Sequence, residues 1–236
     1  WCLLHRQRLS CSKSITVSKM NVMSVNLGQD RILERKDRAE RTGIFKFPSA
    51  ELVKVTELGL QGDVIVSKKH HGGPDQAVYI YGDADYAWWS QQLGREILPG
   101  TFGENLTITD LESRRFNIGD YLHVGEVTLQ VTAPRIPCST FAARMDDSQW
   151  VKKFRHAERP GLYCRVMKEG FLKAGDSVSI EKYSAETISI IEMFRDYYDR
   201  YKSEETLRRH LNAPIAIRAR RDLEKELQKL LSKSQA

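Results

Sequence analysis

Between Val127 and Thr132 apolar and polar residues alternate without interruption: Val127, Leu129 and Val131 face one way, Thr128, Gln130 and Thr132 the other. A period of two predicts a β-strand with one face on a core and the other toward water. Shorter runs of the same kind predict strands at 52–56, 77–81, 106–109, 121–124, 162–167 and 177–181. Gly62-Asp63, Gly119-Asp120, Gly125-Glu126, Glu169-Gly170 and Gly175-Asp176 punctuate them with residues that tolerate turn geometry. Many short strands at this spacing predict a mainly β fold, a closed or nearly closed β-barrel.

A helical period interrupts this pattern twice. Asp83 can cap a helix that puts Tyr86, Trp89 and Leu93 on one stripe and stops before Gly94. A second begins near Asp146 or Asp147 and buries Trp150, Val151 and Phe154. After Ser184 the period changes for good. Ile188, Ile191, Phe194 and Tyr198 recur at helical spacing, Ser203 opens another helix that stops near Asn212-Ala213-Pro214, and a last one carries Leu223, Leu227, Leu230 and Leu231. Helices this short are marginal alone in water, so they must pack on each other or on the strands. The expected division is a basic tail at 1–23, a barrel at 24–183 and a three-helix extension at 184–236.

Composition narrows the classes. With 41% apolar and 29% charged residues, the 236-residue chain can bury a core. A net charge of +6 suits anionic ligands, but both signs mix along the helical tail, which reads as a solvated face and not a nucleic-acid stripe. No stretch approaches the ~20 apolar residues that span a bilayer. The first 19 residues hold Arg6, Arg8, Lys13 and Lys19, no acidic residue and no secretory apolar core, so Met20 or Met23 is the expected natural start. Cys2, Cys11, Cys138 and Cys164 form no CxxC pair, which argues against a disulfide scaffold or structural zinc and for a reducing, cytoplasmic compartment. Cys164, between Leu162 and Val166 on one side of a strand, is expected in the core.

Candidate chemistry concentrates in four loops. Pro134 and Pro137 cannot continue a ladder, and each pushes the residue before it into extended geometry. Cys138 is thereby held at a strand exit beside the fixed charge of Arg135, and a neighbouring cation favours thiolate, the form that ligates metals or attacks electrophiles. A buried loop cysteine fits the same spacing, and the residues alone leave both open. In the stretch from Lys68 to Asp75, Gly72 and Gly73 let the backbone approach a ligand and offer successive N–H groups to an anion, with His70 and His71 adding donors. The alternative is a turn with exposed histidines; zinc is disfavoured because no HExxH or CxxC accompanies them. Asn105, in Phe102-Gly103-Glu104-Asn105-Leu106, can donate to and accept from a heterocycle or merely cap a strand. Arg165 lies on the strand face opposite Cys164, where it suits a phosphate or a surface ion pair.

Taken together, His71-Gly72-Gly73-Pro74-Asp75, Phe102-Gly103-Glu104-Asn105-Leu106, Pro134-Arg135-Ile136-Pro137-Cys138 and Gly161-Leu162-Tyr163-Cys164-Arg165-Val166 resemble, in order and spacing, the MOSC domain, named after the C-terminal domain of molybdenum cofactor sulfurase. The likeness is to its YiiM-like branch, covers about residues 24 to 230, and includes the three-helix extension. It implies a barrel that binds the molybdenum cofactor, a pterin dithiolene with phosphate and metal. On that resemblance Cys138 ligates molybdenum, Arg135, Arg165, Gly72 and Gly73 hold the phosphate, Asp75 and Asn105 meet the pterin edge, and His71 supplies a proton near neutral pH. The implied activity is reduction of N-hydroxylated compounds, such as hydroxylaminopurine bases, with electrons from a separate protein, because the chain carries no flavin or nicotinamide fingerprint. A homodimer is compatible with it, and a membrane or nucleic-acid partner is not expected. The rival reading keeps the fold and makes Cys138 a persulfide nucleophile in a sulfur-carrier module; a non-enzymatic anion-binding module ranks last.

Overall fold

The computed structural model describes residues 20–34, 39–66 and 72–234. The chain forms β1 (Val22–Gly28), β2 (Arg31–Glu34), β3 (Ala39–Thr42), β4 (Lys46–Ser49), β5 (Val53–Thr56) and β6 (Gly59–Leu60) before the diglycine turn. It continues with β7 (Val78–Gly82), helix α1 (Asp83–Leu93), β8 (Leu106–Ile108), β9 (Tyr121–Val124) and β10 (Val127–Ala133). Helices α2 (Ser139–Arg144) and α3 (Trp150–Ala157) lead to β11 (Leu162–Lys168), β12 (Gly170–Leu172) and β13 (Val178–Glu181), and the chain ends in α4 (Ile190–Asp196), α5 (Glu204–Asn212) and α6 (Ile217–Ser234).

All the strands expected after residue 52 are present, each within one residue of its expected ends. The four strands from β1 to β4 were not foreseen. β1 hides its period because Ser24 and Asn26 are buried beside its valines, joined to each other (Ser24 Oγ to Asn26 Oδ1, 2.7 Å) and to Thr107 (Asn26 Nδ2 to Oγ1, 3.2 Å). β10 departs from expectation in a different way: both of its faces are covered. Thr132 donates its hydroxyl to the Asp75 carbonyl (2.6 Å), and its own carbonyl accepts from Ala216 N (3.2 Å), so the diglycine turn and the C-terminal segment roof the polar face.

Eight strands share one mixed sheet in the order β13-β9-β10-β11-β7-β8-β1-β4. Strand spacing predicts a closed or nearly closed barrel, and the ladders of this sheet do not by themselves close it into one. A bridge between Asn21 and Ser177 and the bonds Val22 N to Asp176 O (2.9 Å) and Gly175 N to Val22 O (2.8 Å) bring the start of β1 against the start of β13. No ladder forms there among the described residues; β4 pairs with β1 farther along, from Val25 to Gly28. All neighbours are antiparallel except β7 and β8, which run the same way. That parallel pair requires a crossover, which consists of α1 and the segment 94–105.

One apolar core serves sheet and helices alike. Trp89, Phe102, Phe141, Trp150 and Phe154 interlock with ring centroids 4.6–6.5 Å apart, and each such side chain buried contributes about 1.5–3 kcal/mol. Ile190, Phe194, Leu207 and Leu223 of the C-terminal helices belong to the same cluster. Cys164 sits in it too, and burial pushes its thiol far up from the ordinary range. Among the described residues, no helix is long and apolar enough to cross a membrane.

Candidate functional site

A cavity of about 450 Å³ opens between β3, β4, the 63–66 loop, the crossover segment and the proline loop after β10. Its chemistry begins with where β10 stops. Pro134 and Pro137 end the ladder, and Cys138 follows in extended geometry (φ −123°, ψ 173°) as the residue from which α2 starts, its carbonyl accepting from Ala142 N at 3.0 Å. The thiol is free, half-buried and part of the cavity wall. α2 was not foreseen, because a proline-rich loop masks a helix of only six residues.

Arg135 lies behind Cys138, only 5% exposed. One guanidinium nitrogen donates to the Phe102 carbonyl (2.9 Å), and the group stands over the rings of Tyr79 (4.9 Å) and Phe141 (4.4 Å). Its Nε is buried without a hydrogen-bond partner among the described residues. Burial works against the charge, but Tyr163, Tyr79, Cys138 and Glu104 together hold the guanidinium above its ordinary range. It is a fixed cation in the cavity wall.

Asn105 also lines the cavity, with both ends of its amide engaged. Its Oδ1 accepts from Tyr79 N (3.1 Å), and its Nδ2 donates to Asp63 Oδ2 (2.9 Å). Asp63 further accepts from Gly28 N (2.6 Å) and, through both oxygens at 2.6 Å, from Lys46 Nζ. This ion pair is buried, the side chains 8% and 3% exposed, and both residues line the cavity. Burial pushes the Lys46 ammonium down and Asp63 only partly offsets it. Sequence reasoning missed the pair: Asp63 reads as a turn residue, and the one available signal was a lysine lodged between Phe45 and Phe47 in an unrecognised strand. Glu104, next to Asn105, is fully buried and braces the crossover, its Oε1 accepting from Tyr86 Oη (2.6 Å), Gly100 N (2.6 Å) and Thr107 Oγ1 (2.9 Å); burial pushes its carboxyl up.

The diglycine turn borders the cavity on one side only. Gly72 and Gly73 have φ of 81° and 87°, a conformation that favours glycine. Gly72 lines both the cavity and a neighbouring groove of about 190 Å³ against the start of α6, whereas Gly73 and Asp75 line the groove alone. Asp75 accepts from Ile217 N (2.6 Å) and pairs with Arg165 (3.0 Å), whose Nη2 also donates to the carbonyls of Ile215 (3.0 Å) and Pro214 (3.3 Å). The structure therefore gathers Cys138, Arg135, Asn105 and Gly72 around one space and sets Asp75 and Arg165 at the junction with the C-terminal helices. The proposed proton donor His71 lies outside the described residues.

Comparison with known proteins bears on this arrangement. Residues 67–179 match the MOSC domain. The Bacillus subtilis protein YflK, itself uncharacterised, is 33% identical over 172 residues, 73% of this chain and 78% of that protein. A Gibberella moniliformis protein named reductase is 32% identical over 126 residues, 52% of this chain but 22% of its own length. The crystal structure of YiiM from Geobacillus stearothermophilus superposes with a TM-score of 0.73 at 25% identity, over 88% of this chain and 99% of that one. The domain match, the extended likeness to YflK and the YiiM fold together make this chain a YiiM-like member of the MOSC domain family.

Proposed function

We propose that the protein is a molybdenum-cofactor-dependent oxidoreductase that reduces N-hydroxylated compounds, hydroxylaminopurine bases among them, with electrons from a separate donor protein in the cytoplasm. Family membership and the reductase-named relative support an oxidoreductase role. The observation that carries the finer reading is a half-buried thiol and a buried fixed cation facing the same cavity.

The residues present fit such a group. The cavity of about 450 Å³ falls within the ~300–1,000 Å³ usual for cofactor sites. At Gly103, a cavity-lining glycine with φ of 75°, an added Cβ would come within 3.0 Å of Ile44 and 3.4 Å of Arg135, so a side chain there would crowd the wall. The unpartnered Nε of Arg135 suits an anionic ligand, and a thiolate is a soft donor of the kind that suits such a metal. On this reading Cys138 ligates the metal, Arg135 balances negative charge and the Gly72 backbone approaches the cofactor. Asn105 acts by holding Asp63, Asp75 and Arg165 brace the turn, and His71, which precedes Gly72 in the sequence, is a candidate proton donor. The bound cofactor would supply a two-electron couple; the chain orients the substrate and limits water.

The test is expression in a cofactor-competent host, followed by molybdenum and pterin analysis and reduction of 6-hydroxylaminopurine. Wild-type protein should carry both and turn over. Cys138→Ala should lose turnover and most molybdenum while its melting temperature stays close to wild type. Full turnover by that variant, or a wild-type protein without molybdenum from such a host, overturns the reading.

A further inference from the structure

Lys46 is a buried ammonium for which the architecture offers incomplete satisfaction. It has three N–H donors. Asp63 accepts through both oxygens, at 2.6 Å each, and the ammonium makes no further hydrogen bond to a described residue. Asp63 is in turn fixed by Gly28 N and Asn105, so the pair cannot swing apart without breaking other bonds. A buried charge is normally fully hydrogen-bonded. Here the remaining donor belongs to a residue that lines the cavity shared by Cys138 and Arg135.

We infer that Lys46 holds the oxygen of the substrate's N–O group and donates the proton with which that oxygen leaves as water. The inference rests on the reductase reading above. In R–NH–OH + 2 e⁻ + 2 H⁺ → R–NH₂ + H₂O the N–O bond breaks and nitrogen is reduced by two electrons from the external donor protein. Lys46 gives one proton to the departing hydroxyl, solvent gives the other to nitrogen, and solvent recharges Lys46. The charged groups that act on Lys46 are Asp63, Glu104 and Arg135, and Glu40, Arg41, Cys138, Tyr79 and Tyr163 share its cavity. Burial, which lowers the lysine against the pull of Asp63, brings its proton closer to transferable. The acid form is required, so turnover falls as pH rises through the Lys46 pKa.

The test uses cofactor-loaded protein, reduced methyl viologen as electron source and 6-hydroxylaminopurine as substrate. Lys46→Arg keeps the positive charge but cannot release a proton near neutrality. Lys46→Met removes both, and Lys46→Met with Asp63→Asn avoids stranding a buried carboxylate should the single variant fail to fold. Each is expected to lower kcat by about 10²-fold or more with a smaller change in KM, to keep wild-type molybdenum and pterin content, and to lose the alkaline fall of kcat. An independent readout is mass-mapped acetylation of cofactor-free protein. Lys46 should titrate below the ordinary ~10.4 of lysine, and 6-hydroxylaminopurine should slow its modification several-fold. Wild-type kcat in Lys46→Arg, an unchanged alkaline limb in the folded Met variants, or acetylation indifferent to the purine overturns the assignment while leaving the reductase reading intact. A loaded wild-type protein that fails to reduce the purine removes both.

Discussion

Two acid–base pairs sit a short way apart in this fold and serve opposite ends. Asp75 with Arg165 and Asp63 with Lys46 each join a carboxylate from a glycine-rich turn to a cation on a strand. The first pair spends its bonds on the backbone of another segment, at Ile217 N, Pro214 O and Ile215 O, and so fastens the C-terminal helices to the sheet. The second is bonded within the wall of a cavity and ends at open space. Charge and neighbouring glycine do not separate the two; what lies beyond the pair does.

The contrast can be broken from either side. The largest effect is expected for Asp63→Ala, which strands the Lys46 charge in the wall; removing one partner of a buried pair costs about 3–5 kcal/mol. Urea denaturation of the cofactor-free protein measures it, and a loss below about 1 kcal/mol would mean that water reaches the pair freely. Asp75→Ala should cost less, about 1–2 kcal/mol, since a lost helix cap and a partly exposed pair are at stake. Its signature is faster hydrogen exchange at the start of α6 with molybdenum content retained. A molybdenum loss as deep as that of Cys138→Ala would erase the distinction between the two regions. Smallest is Ser203→Ala, which removes the bond from Thr206 N (3.1 Å) that caps α5. About 1 kcal/mol is expected, with exchange accelerated in α5 and cavity chemistry untouched; a changed kcat would tie the helices to the site more closely than the junction suggests.

What could be read in advance follows the same division. Strands built from alternating or continuous apolar positions, such as β10 and β11, were legible because their apolar residues enter the core, although the cover over the polar face of β10 was not. α1 and α5 announced themselves by stripe and by one terminus each: Gly94 closes α1 in the left-handed conformation and Ser203 caps α5, whereas Asp83, expected to cap α1, is its first helical residue and Gly82 holds the cap position. β1 and β4 were illegible because they bury Ser24, Asn26 and Lys46, polar residues whose partners come from distant segments such as Thr107 and Asp63. At the site, Cys138 and Arg135 were marked by the prolines that frame them. Asp75 and Arg165 carried the same kinds of functional group, yet only the position of Ile217, far along the chain, assigns them to the helical junction. Local composition reveals which residues are chemically able; long-range partners decide which are available.

The lone parallel pairing carries a consequence for how this fold tolerates change. A hairpin would join β7 to a neighbour in a few residues, but same-direction neighbours force the polypeptide to travel back along the sheet before pairing again. That return journey delivers Phe102, Gly103, Glu104 and Asn105 to the cavity, two of them lining it and a third supplying the carbonyl that holds Arg135. Shortening the detour would leave most ladders in place and still dismantle the wall, so lengthening in a descendant should be confined to the outer end of α1, where Gly94 has open space around it.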